Sequence, residues 1–262
     1  MKLDGVRKRF SRRGRWVLDG VDLSLPSGAC TVVAAANGAG KSTLLRIAAG
    51  ASVPTAGWVR GRPRTVAYVP ERAPVRLRMT TRQYLAHMGR LQAIPASQVR
   101  ARATELYERL ALRPGPDVPI SALSKGNSQK VALIQAFLKP VELLVVDEPY
   151  TGLDALASAS VRELLAEAAG AGAAVLVSGH ERVGGDFVLR DGQLSPVTAG
   201  PERIMRVVLA GGSEPGELAG HALSLTGDRD RLVVRTADAD RLLLHALAVG
   251  WSLVEARPEE PR

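Results

Sequence analysis

AAANGAGKST, residues Ala34 to Thr43, is the stretch whose reading decides the fold. It nearly fits the phosphate-loop pattern G-x-x-x-x-G-K-[ST]. In such a loop consecutive backbone N–H groups face phosphate oxygens, with a helix N-terminus behind them. The N–H row here would run through Ala35, Ala36, Asn37, Gly38, Ala39 and Gly40 into Lys41, Ser42 and Thr43. Gly38 and Gly40 permit the backbone angles, Lys41 brings a positive charge to the β and γ phosphates, and the Ser42 hydroxyl suits Mg²⁺. One position departs: the pattern's first glycine falls at Ala35. Its methyl group is harmless if φ is negative and costs about 1 kcal/mol or more if φ is positive.

The flanks give the loop its context. "CTVVAAA" before it reads as a short buried strand, and "GKSTLLRIAAG" after it carries Leu and Ile at helical spacing until Gly50. Earlier, "VLDGVDLSLPSG" alternates into a turn and predicts a strand. "TTRQYLAHMGRLQA" and "ASQVRARATELYERLAL", split by Pro95, predict two amphipathic helices forming an insert over 80–112. "VELLVVDEP" and "AAVLVSGH" read as buried strands on either side of a helix, "ASASVRELLAEAAGAG". Strands alternating with helices predict a parallel α/β sheet. After "TAGPE" the pattern changes: "IMRVVLA", "ALSLTG", "RLVVRT" and "WSLVEA" predict short strands around one helix, "ADRLLLHALAVG". The charged tail "RPEEPR" is expected to be disordered.

"LLVVDEP" supplies the second half of a nucleotide site. Asp147 at the end of a buried strand can bind Mg²⁺ through water, and Glu148 is placed to polarise an attacking water.

Bulk composition narrows the class. The chain has 262 residues, 46% of them hydrophobic. The longest uncharged apolar run, Ala168 to Gly179, contains three glycines and is too short to cross a bilayer. No apolar segment follows the charged N-terminus, so no signal peptide is expected and the location expected is cytoplasmic. A single cysteine, Cys30, excludes a disulfide framework and a cysteine-cluster metal site, and is expected to be a buried, inert thiol. The net charge of +9 is spread along the chain without aromatic interleaving, which points to a solvated surface rather than a nucleic-acid site.

With "LSKGNSQK" (Leu123 to Lys130) about 20 residues before "LLVVDEP", the chain resembles the nucleotide-binding subunit of an ATP-binding cassette (ABC) transporter. Ser124 and Gly126 match the family's signature, which contacts the γ phosphate across a dimer interface; Lys125 and Asn127 replace its commoner glycine and glutamine. "GLD", Gly152 to Asp154, resembles the D-loop, and His180 resembles the switch histidine that reaches the γ phosphate. Phe10 fits the aromatic that stacks on adenine, with Trp16 as a rival. Glu71 stands where the family usually has a glutamine that senses Mg²⁺ and the attacking water, a departure similar to drug- and antibiotic-export cassettes. The segment from His180 to Asp186 is short for the family.

The resemblance implies a P-loop ABC cassette over 1–199: a mixed, mostly parallel core sheet, an antiparallel β subdomain and a helical subdomain at about 75–135. Residues 200–262 form a small α+β appendage similar to one seen on exporters. It further implies ATP and Mg²⁺ as ligands and a head-to-tail dimer holding two ATP, each between one loop and the other copy's signature. The membrane permease would be a separate polypeptide docked near the insert and Glu71, and would hold the chain on the inner membrane face. Export is the first reading. An importer ATPase, and a soluble ABC ATPase acting on ribosomes or nucleic acid, are the alternatives.

Overall fold

The structure, a computed structural model, describes residues 1–71, 77–179, 185–197, 205–212, 222–228, 230–236 and 251–258, with residues 215, 218, 220, 242 and 246. The chain divides into two compact units, Met1–Val197 and Thr198–Arg262.

The first unit begins with β1 (Lys2–Lys8) and β2 (Leu18–Ser24), followed by β3 (Cys30–Ala34) and α1 (Lys41–Ala49). Next come β4 (Ala56–Arg60) and β5 (Val66–Val69), then the helices α2 (Thr81–Leu91), α3 (Ala96–Arg109) and α4 (Lys125–Ala136). β6 (Leu143–Val146), α5 (Ala155–Gly170), β7 (Ala174–Gly179), β8 (Phe187–Arg190) and β9 (Gln193–Pro196) complete it.

Six strands form the main sheet in the order β5-β6-β7-β3-β8-β9, parallel except for β9 at the edge. Burial on both faces explains why β6 reads as an unbroken apolar run, Leu143 to Val146. Val33, Leu143, Val145 and Leu176 face α1, where Leu44, Leu45 and Ile47 cover them. Val146, Val175 and Val177 face the other way, against Val161 and Leu164 of α5 and Leu133 of α4. The loop at 35–40 therefore leaves the carboxyl end of a central strand, β3, at a place where the chain from β3 runs on to the edge strand β5 on one side and the chain from β7 crosses to β8 on the other. Crevices at such a switch point are where open α/β sheets bind ligands.

A second sheet, β2-β1-β4, is antiparallel. β1 and β4 are legible only in the structure. The β1 register slips between Leu3 and Val6, and Gly5 adopts φ +55°, so the alternation that would mark a strand is broken. Gly57 of β4 packs so close that a Cβ there would meet the Gly5 carbonyl oxygen at 2.2 Å.

Local chemistry ends the helices where the sequence predicts. Thr80 and Gln83 make a reciprocal capping box on α2. Pro95 stands immediately before α3, and Gly50 closes α1 in a left-handed conformation.

The second unit holds β10 (Met205–Ala210), β11 (Ser224–Gly227), β12 (Leu232–Thr236) and β13 (Ser252–Pro258), in the antiparallel order β11-β12-β10-β13. One face packs Val207, Leu209, Leu232 and Val234 against Leu218, Leu242, Ala246 and Trp251. The expected helix over "ADRLLLHALAVG" lies outside the described residues except for Leu242 and Ala246. The expected disorder of "RPEEPR" is corrected at its start: Arg257 and Pro258 pair with Arg206 and Met205, because the ladder to β10 runs to the end of β13.

Candidate functional site

β3, β6 and β7 end side by side and deliver the site. Ala34 pairs with Gly179, and the Ala35 N–H continues that ladder to the Gly179 carbonyl at 3.2 Å. Ala35 is fully buried and is not among the residues with positive φ, so its methyl group fits the turn unstrained. Gly38 (φ +80°) and Gly40 (φ +105°) take the left-handed angles. Gly40 is also sterically required, since a Cβ would come within 2.9 Å of the Val17 carbonyl oxygen. Ala36, Asn37 and Gly38 are exposed at the rim, while Ala39, Gly40, Ser42 and Thr43 are half-buried around the start of α1.

Lys41 is buried, 6% exposed, and its ammonium turns back onto the loop. It donates to the Ala35 carbonyl at 2.8 Å and lies 3.4 Å from Glu148 Oε1. Glu148 has a left-handed backbone, φ +48°, unusual for a residue with a side chain. Its N–H donates to Ser178 Oγ at 2.8 Å, and Thr151 Oγ1 donates to Glu148 Oε2 at 3.1 Å. Ser178 Oγ in turn donates to Asp147 Oδ1 at 2.7 Å.

Asp147 is 1% exposed, and its N–H ties β6 to β5 through the Val69 carbonyl at 2.8 Å. Its second oxygen, Oδ2, is buried with no hydrogen-bond partner among the described residues. A buried carboxylate oxygen left without a donor suits a hard cation or a water on one. Among the described residues no group of three or more acidic, His or Cys side chains could hold a metal alone. Asp147 and Ser42 therefore fit a Mg²⁺ that takes its other ligands from phosphate and water. Glu71 is half-buried just past β5, the strand hydrogen-bonded to β6.

The signature stretch lies at the start of α4. Ser124 is its N-cap and accepts from Asn127 N–H at 3.2 Å. Gly126 meets the D-loop edge-on: a Cβ there would stand 2.2 Å from the Gly152 carbonyl oxygen. Asp154 caps α5, accepting from Ala157 N–H at 2.8 Å, and pairs with Lys130 at 3.4 Å. The cap and then Lys130 hold its carboxyl below the usual range. Lys130 is nearly buried and also donates to the Ala111 carbonyl at 3.2 Å, which links α4, α5 and the end of the helical insert.

Phe10 is 72% exposed, with the Lys8 ammonium over its ring at 5.5 Å. The rival Trp16 is stacked by Arg9 at 4.6 Å and Arg7 at 5.8 Å. His180 lies outside the described residues. Cys30 is a correction: it is exposed, not buried, because it opens β3 at the rim of a cavity of about 750 Å³ that reaches Glu148, Tyr150 and Asp186. Partial burial there, then the Asp186 carboxylate, push its thiol pKa up, so it remains a poor nucleophile.

Sequence reasoning missed Ser178, Thr151 and Lys130. Ser178 lies one turnless step along a buried apolar strand and carries no mark of its own. Lys130 closes the quoted signature stretch, yet a lysine on a helix reads as solvated until its burial is seen.

The family profile described as "ABC transporter" matches residues 18–151. The Nod factor export ATP-binding protein I of Ralstonia nicotianae is 30% identical over 69% of this chain, which spans 59% of that protein's length. The cytochrome c biogenesis ATP-binding export protein CcmA of Methylococcus capsulatus is 37% identical over 64% of this chain and 86% of its own. The zinc import ATP-binding protein ZnuC of Paramagnetospirillum magneticum is 36% identical over 69% of this chain and 68% of its own. Among solved structures, a dimeric ATP-binding cassette in a post-hydrolysis state bound to ADP and Pi superposes over 75% of this chain and 98% of its own. Its TM-score is 0.66 at 22% identity, a likeness of fold.

Proposed function

This chain belongs to the ATP-binding family of ABC transporters, and from that premise we propose that it hydrolyses ATP to drive a separate membrane permease in export. The observation that carries the reading is the convergence of Lys41, Asp147 and Glu148 at the ends of adjacent strands. Those are the groups phosphoryl transfer to water requires: a cation for the phosphates, a carboxylate for the metal and a carboxylate for the attacking water.

In this reading the N–H row from Ala35 to Thr43 binds the triphosphate, and Lys41 neutralises its β and γ oxygens. Phe10, exposed on the surface, stacks on adenine. Glu148 holds the nucleophilic water and takes its proton, while Ser178 fixes the Glu148 backbone and Thr151 orients its carboxylate. Mg²⁺ would be held by Ser42 and Asp147, with Glu71 coordinating the metal or its water, and would neutralise charge developing on the phosphates. Ser124 and Gly126 face the γ phosphate of a second copy, the role also assigned to the D-loop at Asp154. His180 completes the γ-phosphate contacts.

No described helix is long and apolar enough to cross a membrane. Two of the relatives carry export in their names and support that direction. The test is phosphate release by the purified dimer or full complex. Glu148→Gln is expected to lower it by roughly 100-fold or more. Wild-type release no faster than that of the variant refutes the reading.

A further inference from the structure

Beside Asp147 stands a buried hydroxyl that the groups named so far do not use. Tyr68 on β5 is directly opposite Val145 on β6, so their side chains share a face. Both pack in the cluster beneath α1. The Asp147 N–H continues the same ladder two residues beyond Val145, which makes Asp147 the diagonal neighbour of Tyr68 on that face. Ser178, two residues beyond Leu176 on β7, is the neighbour on the other side and donates to Asp147 Oδ1. Tyr68 and Ser178 thus flank one carboxylate, from the strands on either side of β6.

The Tyr68 hydroxyl is sealed from solvent and makes no well-formed hydrogen bond with the described residues, and Asp147 Oδ2 is in the same position. The two groups feel each other: burial first, and then the Asp147 carboxylate, push the Tyr68 pKa up. The Arg46 guanidinium, on an exposed part of α1 four residues after Ser42, opposes that rise. A guanidinium can only donate, so its approach to the oxygen leaves the Tyr68 proton unused. Glu71 acts on the hydroxyl more weakly, and a half-buried carboxylate can take donors from solvent. Asp147 Oδ2 is then a buried acceptor without a donor, next to a buried donor without an acceptor. A ring needed only for packing gains nothing from its hydroxyl, because an unpaired buried hydroxyl destabilises the fold.

We propose that Tyr68 is a positioning residue for the metal, its O–H donating to Asp147 Oδ2 while Ser178 holds Oδ1. The inference rests on the reading of Asp147 as the carboxylate that serves Mg²⁺. A carboxylate held at both oxygens cannot swing, and the remaining lone pair of Oδ2 keeps one direction for the metal or its water. Partners that orient a metal's carboxylate in this way typically cost about 10-fold to 100-fold in metal affinity or activity when removed. Tyr68 belongs neither to the phosphate loop nor to the contacts around Glu148. Its hydroxyl therefore acts on metal affinity and not on nucleotide binding.

The test is Tyr68→Phe, which removes the hydroxyl and keeps the ring. In the full chain carrying Glu148→Gln, held in excess over ATP so that the metal meets only bound nucleotide, Mn²⁺ uptake is followed by electron paramagnetic resonance. The half-saturating Mn²⁺ concentration should rise about 10-fold or more in the variant, while ATP affinity in EDTA stays within about twofold. In the hydrolysing chain the half-saturating Mg²⁺ concentration should rise alike, with the rate at saturating Mg²⁺ nearly restored. If Tyr68→Phe fails to fold by circular dichroism, Arg46→Gln at its exposed position replaces it, and a smaller rise in the same direction is expected. Equal Mn²⁺ uptake in parent and variant overturns the proposal and leaves the metal reading of Asp147 standing. So does a loss of ATP affinity in EDTA as large as the loss for the metal, which would mark a packing role. A parent complex that takes up no Mn²⁺ overturns the metal reading itself, and this inference with it.

Discussion

Lys41 Nζ and Glu148 Oε1 lie 3.4 Å apart, with both side chains almost wholly buried. The cation meant for phosphate and the carboxylate meant for water are therefore each other's counter-charge, and an incoming phosphate competes with Glu148 for one ammonium. Removing one member of a buried pair leaves the other uncompensated, at a cost of about 3–5 kcal/mol, moderated where an amide oxygen can still accept. Glu148→Gln should therefore lower the thermal midpoint without ligand, and Mg·ATP should restore it by supplying the missing negative charge. Thermal unfolding with and without Mg·ATP checks this. A ligand-induced rise no larger than in wild type counts against the pairing.

Ser178 stands behind both carboxylates, accepting from the Glu148 N–H and donating to Asp147 Oδ1. It anchors a glutamate whose backbone sits in the disfavoured left-handed region. Ser178→Ala should lower phosphate release about 10-fold to 100-fold, since small misplacements of catalytic groups cost that much. ATP affinity should change far less, because the loop is untouched. Stopped assays of release beside equilibrium binding separate the two, and an equal loss in both contradicts the assignment.

Gly126 has no room for a side chain, since the Gly152 carbonyl oxygen would lie 2.2 Å from its Cβ. Gly126→Ala must push the D-loop and the start of α4 apart. ATP-driven dimerisation of the Glu148→Gln chain should then fail, while a single copy still binds nucleotide. Lys125→Gly, at an exposed position with no such contact, should dimerise normally. Size-exclusion chromatography with Mg·ATP reads both, and a Gly126→Ala dimer as stable as its parent would falsify the steric account.

These variants also mark what the sequence made legible. The loop, the acidic strand end and the signature were readable because each is local: a few residues whose types and spacing are fixed by one phosphate, one metal or one helix end. β6 and β7 were readable because burial on both faces leaves unbroken apolar runs. β1 and β4 were not, because a slip at Gly5 erases the alternation and only pairing in space restores it. Ser178 and Lys130 act through partners 31 and 24 residues away, and no local pattern encodes such a partner.

Asp154 gives the cassette an acid-sensitive joint. Its carboxyl is held below the usual range first by the Ala157 N–H and then by Lys130. A depressed folded-state pKa contributes stability above the unfolded value, about 3.9, and that stability is lost as pH falls through the folded value. Asp154→Asn keeps a capping side chain but no charge. Its unfolding midpoint should therefore fall less steeply than the wild type's below about pH 4, with little difference near neutrality. Parallel acid titrations of thermal stability measure this, and identical slopes would sink it.

Ala35 is the position where the phosphate loop departs from pattern, and its geometry predicts that restoring glycine brings no gain. The residue is fully buried and free of positive φ, and its N–H already continues the β3–β7 ladder. Glycine there would remove a packed methyl group and add freedom to the unfolded chain, together about 1 kcal/mol or somewhat more. Ala35→Gly should lower the thermal midpoint by a few degrees, on the order of 2–4 °C for a domain of this size. ATP affinity and phosphate release should stay within about twofold of wild type, because the N–H row already has its shape from Gly38 and Gly40. A clear rise in affinity would mean that the alanine methyl group strains the loop after all.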